Sequence, residues 1–211
     1  MESINNKIIP KPIRNLILAF SSLPGIGPKT AQRLTYFVTQ KSSEEIETLS
    51  QALTSVKENI VFCEICFYIM ENTDTKDSRL CLICEGDRNK NQICIVENPL
   101  DVIVIENSGI YDGLYHILHG AISPMNGLGP DNLKIEALMK RITNNIQEII
   151  FATNPTMEGE ATAMYIQELL SELKTKPTIT MLARGLPTGA DLEYSDFSTL
   201  SHAFENRSSF N

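Results

Sequence analysis

The chain has 211 residues, 42% of them apolar and 21% charged, proportions ordinary for a folded protein of one large or two small domains. It contains no low-complexity tract, no short-period repeat and no collagen or coiled-coil signature. The longest uncharged apolar run near the start, 16–20, is too short for a membrane span or a secretory signal, so a cytoplasmic protein is expected. In that reducing compartment five cysteines argue for metal binding or catalysis before disulfides.

The net charge of −8 opposes nucleic-acid binding only until its distribution is read. Residues 1–41 carry six basic side chains against Glu2 alone, a net of +5; the rest holds 12 basic and 25 acidic residues, a net of −13. A basic head on an acidic body fits a polyanion at one end and a basic protein or a metal at the other, or else a solvated surface with an incidental gradient.

In chain order, 1–12 is polar, contains two prolines and reads as an arm. Apolar residues at 13, 16, 17 and 20 give the spacing of a helix over 13–22. The run Leu23-Pro24-Gly25-Ile26-Gly27-Pro28 breaks it, and Pro28 suits the first turn of a second helix to about Gln40, with Ala31, Leu34 and Val38 inward. Ser42 or Ser43, with Glu45 or Glu47 nearby, caps a third helix extending to about Val61. Residues 63–90 are polar and irregular and hold four cysteines. From 91 the pattern alternates: strands over 93–96, 115–118, 148–152 and 178–182, helices over 99–107, 131–144 and 159–173, and a last amphipathic helix over 195–206. That alternation predicts a parallel sheet with helices on both faces. The fold class is therefore α/β, with a helical head, a small metal knuckle, a parallel-sheet body and a helical tail.

Between the first two helices, two glycines flank one apolar residue. Gly25 and Gly27 can take positive φ, and Ile26 can anchor the turn in the core. The turn then presents backbone N–H groups at the start of the second helix, an anion site suited to a DNA phosphate. Lys29 and Arg33, four residues apart, share one face beside it. Such contacts position DNA without reading its sequence. A bare Gly-x-Gly would fit a tight turn without a ligand; the stretch through Arg33, with its basic surroundings, resembles the helix-hairpin-helix of DNA repair proteins.

Cys63-x2-Cys66 and Cys81-x2-Cys84 form two pairs that together can complete a tetrahedral metal site. Four thiolates leave no open position for chemistry, so the expected ligand is one structural Zn²⁺ per chain, folding a segment too small and polar to hold itself together. Spacing does not separate zinc from an iron–sulfur cluster. Cys94, inside a strand pattern, reads as a buried small apolar residue.

The body resembles a Toprim domain, the module shared by primases, topoisomerases and some nucleases. In catalytic members a Glu after the first strand works with an Asp-x-Asp pair after a later one to hold Mg²⁺. Glu97 matches the first. The pair falls at Asn154 and Thr156, which are not carboxylates, so binding is expected rather than catalysis. The acidic residues Glu97, Asp101, Glu158 and Glu160 read either as solvated loop carboxylates or as a docking face for a basic partner. His116 and His119, with no nucleophile motif beside them, read as hydrogen-bonded histidines near a sheet edge. Gly127-Leu128-Gly129-Pro130-Asp131 lacks the ending of a P-loop and reads as a turn capped by Asp131.

The hairpin, the cysteine quartet, Val96-Glu97-Asn98-Pro99, the segment 115–120, Ala152-Thr153-Asn154-Pro155, the segment 158–163 and Ala183-Arg184-Gly185-Leu186-Pro187, followed by Gly189 and Leu192-Glu193-Tyr194, occur in an order similar to that of the RecR family over about 10–207. The resemblance implies a DNA-binding mediator of recombinational repair that acts with RecO and RecF to load RecA on single-stranded DNA. It implies binding of single- and double-stranded DNA and assembly as a dimer or a tetrameric ring. Lys29 and Arg33 match residues that contact DNA in that family, and Glu97, Asp101, Glu158 and Glu160 match a cluster implicated in RecO contact. The implied division is a helix-hairpin-helix head over 1–61, a four-cysteine zinc motif over 62–90, a Toprim domain over 91–183 and a C-terminal segment for oligomerisation over 184–211. Two features depart from the family: the loop 67–80 is longer than usual, and the acidity makes DNA affinity rest on the head and on several subunits acting together. The competing readings are a Mg²⁺-dependent Toprim nuclease or primase-like enzyme and an adaptor that never touches DNA.

Overall fold

A computed structural model describes residues 8–72, 79–207 and 209; Lys7, the first part of the arm and the centre of the long loop between the cysteine pairs lie outside the described residues. The chain divides into two compact units, one up to Ile60 and the other from Val61.

In the first unit, α1 (Lys11–Ser21), α2 (Pro28–Thr39) and α3 (Ser43–Asn59) follow the expected order. Helices α1 and α2 pack together over a small core in which Ile17, Ala31 and Thr35 are fully buried. The Thr35 hydroxyl is satisfied by donating to the Ala31 carbonyl at 2.9 Å. Ser42 starts α3 through a reciprocal cap: Glu45 N–H donates to its Oγ, and Ser42 N–H donates to the Glu45 carboxylate. Such a cap contributes about 1 kcal/mol. No residue of α3 is buried.

The second unit opens with a two-stranded sheet of β1 (Ile60–Phe62) and β2 (Ile69–Glu71), followed by the single turn α4 (Leu82–Glu85). Its main sheet has four parallel strands in the order β4 (Gly113–Ile117), β3 (Asn89–Val96), β5 (Glu148–Phe151), β6 (Thr178–Met181). The connections carry α5 (Pro99–Ser108), α6 (Ile135–Arg141) and α7 (Met157–Glu172); α8 (Phe197–Glu205) ends the chain. Alternate residues of β3 divide the core. Ile93 and Ile95 point with Ile149 and Phe151 to the α6–α7 side. Cys94 and Val96 point with Tyr115, Ile117 and Val102 to the other side, where the cysteine knuckle packs. The expected α/β class and its helical ends are what the chain adopts. Helix α6 is shorter than expected, because the turn before it is a separate 3-10 segment, Pro130–Asn132. That turn is closed by Asn132, whose Oδ1 accepts from Gly129 N–H at 2.8 Å, not by Asp131.

Candidate functional site

The hairpin forms as the glycines suggest, with two corrections, at Gly27 and at Ile26. Gly25 has φ +78°, a left-handed conformation that disfavours any side chain, and Ile26 N–H closes the turn on the Leu23 carbonyl at 3.1 Å. Gly27 is extended, with φ −78°, and serves as the N-cap of α2, its carbonyl accepting from Ala31 N–H at 3.0 Å. Ile26 is only half-buried. Pro28 occupies the first helical position, where no N–H is needed, and no side chain caps the helix. The first-turn N–H groups of Lys29 and Thr30 thus face outward beside exposed Lys29 and Arg33 side chains, which form no ion pair among the described residues. The arrangement is a positive helix start with two cations one turn apart.

The four cysteines of the two pairs converge, their Sγ atoms all within 4.8 Å of one another. A tetrahedral centre of zinc and four sulfurs with bonds near 2.3 Å would have sulfur–sulfur edges of about 3.8 Å, so the donor set fits such an ion. Cys63, Cys66 and Cys81 are buried, Cys84 is partly so, and none is in a disulfide. The first knuckle is held by Phe67 N–H donating to the Cys63 carbonyl at 3.0 Å, with Phe67 at φ +64°. The second is held by Cys84 N–H donating to the Cys81 carbonyl at 3.0 Å. Ile117 N–H donates to the Cys66 carbonyl at 2.9 Å, which fastens the knuckle to the edge strand β4. The contact between Cys63 and Cys66 pushes the Cys63 thiol below the ordinary thiol range and the Cys66 thiol above it. Cys94 stands apart, buried on the same face, and burial pushes its thiol up to about 12.

Arg141, which carried no sequence signal, supports this region. Its Nη1 donates to the Tyr115 carbonyl at 2.7 Å and to His116 Nδ1 at 3.1 Å. Desolvation lowers its pKa, and the four cysteines act in the opposite direction, so the guanidinium counters the thiolates. His116 is fully buried on the edge strand; burial and then Arg141 push its imidazole down to about 3. Neutral, it donates from Nε2 to the Lys134 carbonyl at 2.8 Å. His119 is hydrogen-bonded to the Phe67 carbonyl at 2.8 Å. Both histidines are hydrogen-bonded on or just past the edge strand, as expected.

The carboxyl ends of the strands bring Glu97 to Asn154. Glu97 is 6% exposed, and its two oxygens accept from Asn154 N–H at 2.8 Å and Asn154 Nδ2 at 2.7 Å. Thr156, the other position where a catalytic relative would have a carboxylate, caps α7 by accepting from Gly159 N–H at 3.1 Å. Both positions are thus occupied by local hydrogen bonding. Gly159 must lack a side chain: a Cβ there would clash with the Asn154 carbonyl and lie 2.7 Å from Glu97 Oε1. Asp101 caps α5 by accepting from Asn98 N–H at 2.8 Å. Glu158 is exposed in the first turn of α7, and Glu160 forms an ion pair with Arg184. Arg184 lies in a crevice of about 500 Å³ with Glu160, Asp196, Thr199 and His202. The four acidic residues are therefore inequivalent: Glu97 is sequestered, Asp101 caps a helix, Glu160 is paired, and the Glu158 carboxylate has no ion pair among the described residues.

Three stretches of the chain match known families. Residues 13–57 match the family model described as RecR, helix-hairpin-helix; 91–182 match the Toprim domain; 185–208 match RecR, C-terminal. The recombination protein RecR of Dehalococcoides mccartyi (strain ATCC BAA-2266 / KCTC 15142 / 195) is 47% identical over 200 residues, covering 94% of each chain.

Proposed function

The chain belongs to the RecR family of recombination proteins, and from that premise we propose that it is a non-catalytic DNA-binding mediator, acting with RecO and RecF to load RecA on single-stranded DNA. The observation that carries the reading is the hairpin: a left-handed Gly25, an uncapped α2 start, and exposed Lys29 and Arg33 on one face. Its ligands are single- and double-stranded DNA, held through phosphate without base readout.

The division into a head over 1–61, a four-cysteine motif over 62–90, a Toprim domain over 91–183 and a C-terminal segment over 184–211 follows the same reading. The ion at Cys63, Cys66, Cys81 and Cys84 is one structural Zn²⁺. It braces the face of the sheet that carries Cys94 and Val96 and takes no part in a reaction. Absence of catalysis is supported by the Glu97–Asn154 contact, where an amide stands in place of the second carboxylate a hard cation would need. RecO docks on the acidic face of Glu97, Asp101, Glu158 and Glu160. Its accessible charge comes from Glu158, and Glu160 must exchange Arg184 for the partner.

A homo-oligomer, a dimer or a tetrameric ring, is supported by α3. Ile46, Leu49, Leu53 and Val56 recur along it at spacings of three and four, and the last three are exposed apolar residues. A second head would cover that stripe. The protein acts in the cytoplasm; no helix among the described residues is long and apolar enough to cross a membrane.

A loading assay tests this function. RecA filament formation on single strands coated with single-strand-binding protein, in the presence of RecO, should be accelerated by the wild type and not by Lys29→Ala/Arg33→Ala. Mg²⁺-dependent DNA cleavage or synthesis that disappears in Glu97→Ala would replace the mediator with an enzyme.

A further inference from the structure

We propose that the exposed face of α2 is a stacking platform for the bases of single-stranded DNA, with Tyr36 and Phe37 as its rings. The proposal rests on the DNA-binding reading of the hairpin and adds to it a preference for unpaired strands. Lys29, Gln32, Arg33, Tyr36, Phe37 and Gln40 line one shallow groove along the helix. Their spacings of one, three and four keep them on one side, running away from the hairpin. Tyr36 is 52% and Phe37 57% exposed, and among the described residues neither packs on another ring. The Lys41 ammonium lies 4.9 Å from the centre of the Phe37 ring.

Charge and shape select the occupant. The groove has two cations and no acid in its lining, so it complements an anion with a flat apolar part. A duplex hides its base faces, whereas a single strand offers them beside its phosphates. Aromatic side chains stack on such bases irrespective of sequence, while lysine and arginine track the backbone. The carboxamides of Gln32 and Gln40 can exchange hydrogen bonds with base edges. A phosphate-only hairpin would need the cations but would gain nothing from rings held in water at its side.

The test uses the full-length protein and two labelled strands of equal length, oligo-dT and an abasic strand with the same phosphates. Binding is followed by anisotropy at fixed salt. The wild type should bind oligo-dT on the order of tenfold more tightly than the abasic strand for each stacked base. Tyr36→Leu/Phe37→Leu, which keeps apolar bulk, should abolish that ratio while leaving abasic binding and its salt dependence in place. Lys29→Ala/Arg33→Ala should weaken both strands together. Equal wild-type affinity for the two strands overturns the platform while leaving the hairpin reading intact; no binding to either strand overturns both. If the leucine variant keeps the ratio but loses mass by light scattering, the face belongs to a second copy of the chain and the platform is wrong.

Discussion

Asn154 holds Glu97 from two sides, donating from its backbone to Oε1 at 2.8 Å and from its side chain to Oε2 at 2.7 Å. The amide satisfies a buried carboxylate that would otherwise need a cation. Asn154→Asp replaces a donor with a second negative charge beside Glu97. The variant should lose about 1–3 kcal/mol of stability, with millimolar Mg²⁺ restoring part of it. Thermal melts with and without Mg²⁺ check this; an unchanged melting temperature would mean that the contact contributes little.

Gly159 makes that contact possible, because α7 begins directly against Asn154 and Glu97. Gly159→Ala should destabilise the sheet domain by about 1–3 kcal/mol through overpacking, although alanine is the better helix former. Denaturant unfolding reads it directly: a stabilised variant would show that the backbone yields freely there.

The hairpin, the cysteine pairs and the strand–helix alternation were legible because each is a local pattern with a single geometric solution. Gly25 and Gly27 were legible as a pair but not in their separate roles, since only the turn decides which takes positive φ and which becomes the cap. The Glu97–Asn154 and Glu160–Arg184 contacts join residues 57 and 24 positions apart and leave no local trace. The strands β1 and β2 were not anticipated, because three-residue strands carry no readable period. Arg141 carried no local signal, because its burial follows from the fold around β4.

His116 gives a pH-dependent readout. Its folded pKa, about 3, lies below the ordinary value near 6.5, so the unfolded chain takes up the proton first. Its stabilising contribution is therefore complete above about pH 6.5 and is lost as pH falls towards 3. Nitrogen-detected NMR should show the His116 ring remaining in the Nε2–H tautomer at about pH 5, donating to Lys134. A ring that titrates near 6.5 would mean that the site is open to water.

Elemental analysis should find close to one zinc per chain, and Cys84→Ser should reduce it. Stripping the metal should lower the melting temperature of the sheet domain and not only unfold the knuckle, because Cys63, Cys66 and Cys81 share a core with Cys94, Val96 and Tyr115. A visible absorption band typical of iron–sulfur clusters would reassign the metal, and an unchanged melt after removal would reduce the cluster to an ornament of the fold.

The most direct test of the DNA-binding account is anisotropy with a labelled single strand across a salt series, comparing wild type with Lys29→Ala/Arg33→Ala. The account predicts steeply salt-dependent binding by the wild type. In the variant, affinity should fall and the slope of log K against log salt should be reduced by roughly one for each cation removed. Equal binding by the two proteins, or none by either, would contradict it and leave an adaptor that works through protein partners alone.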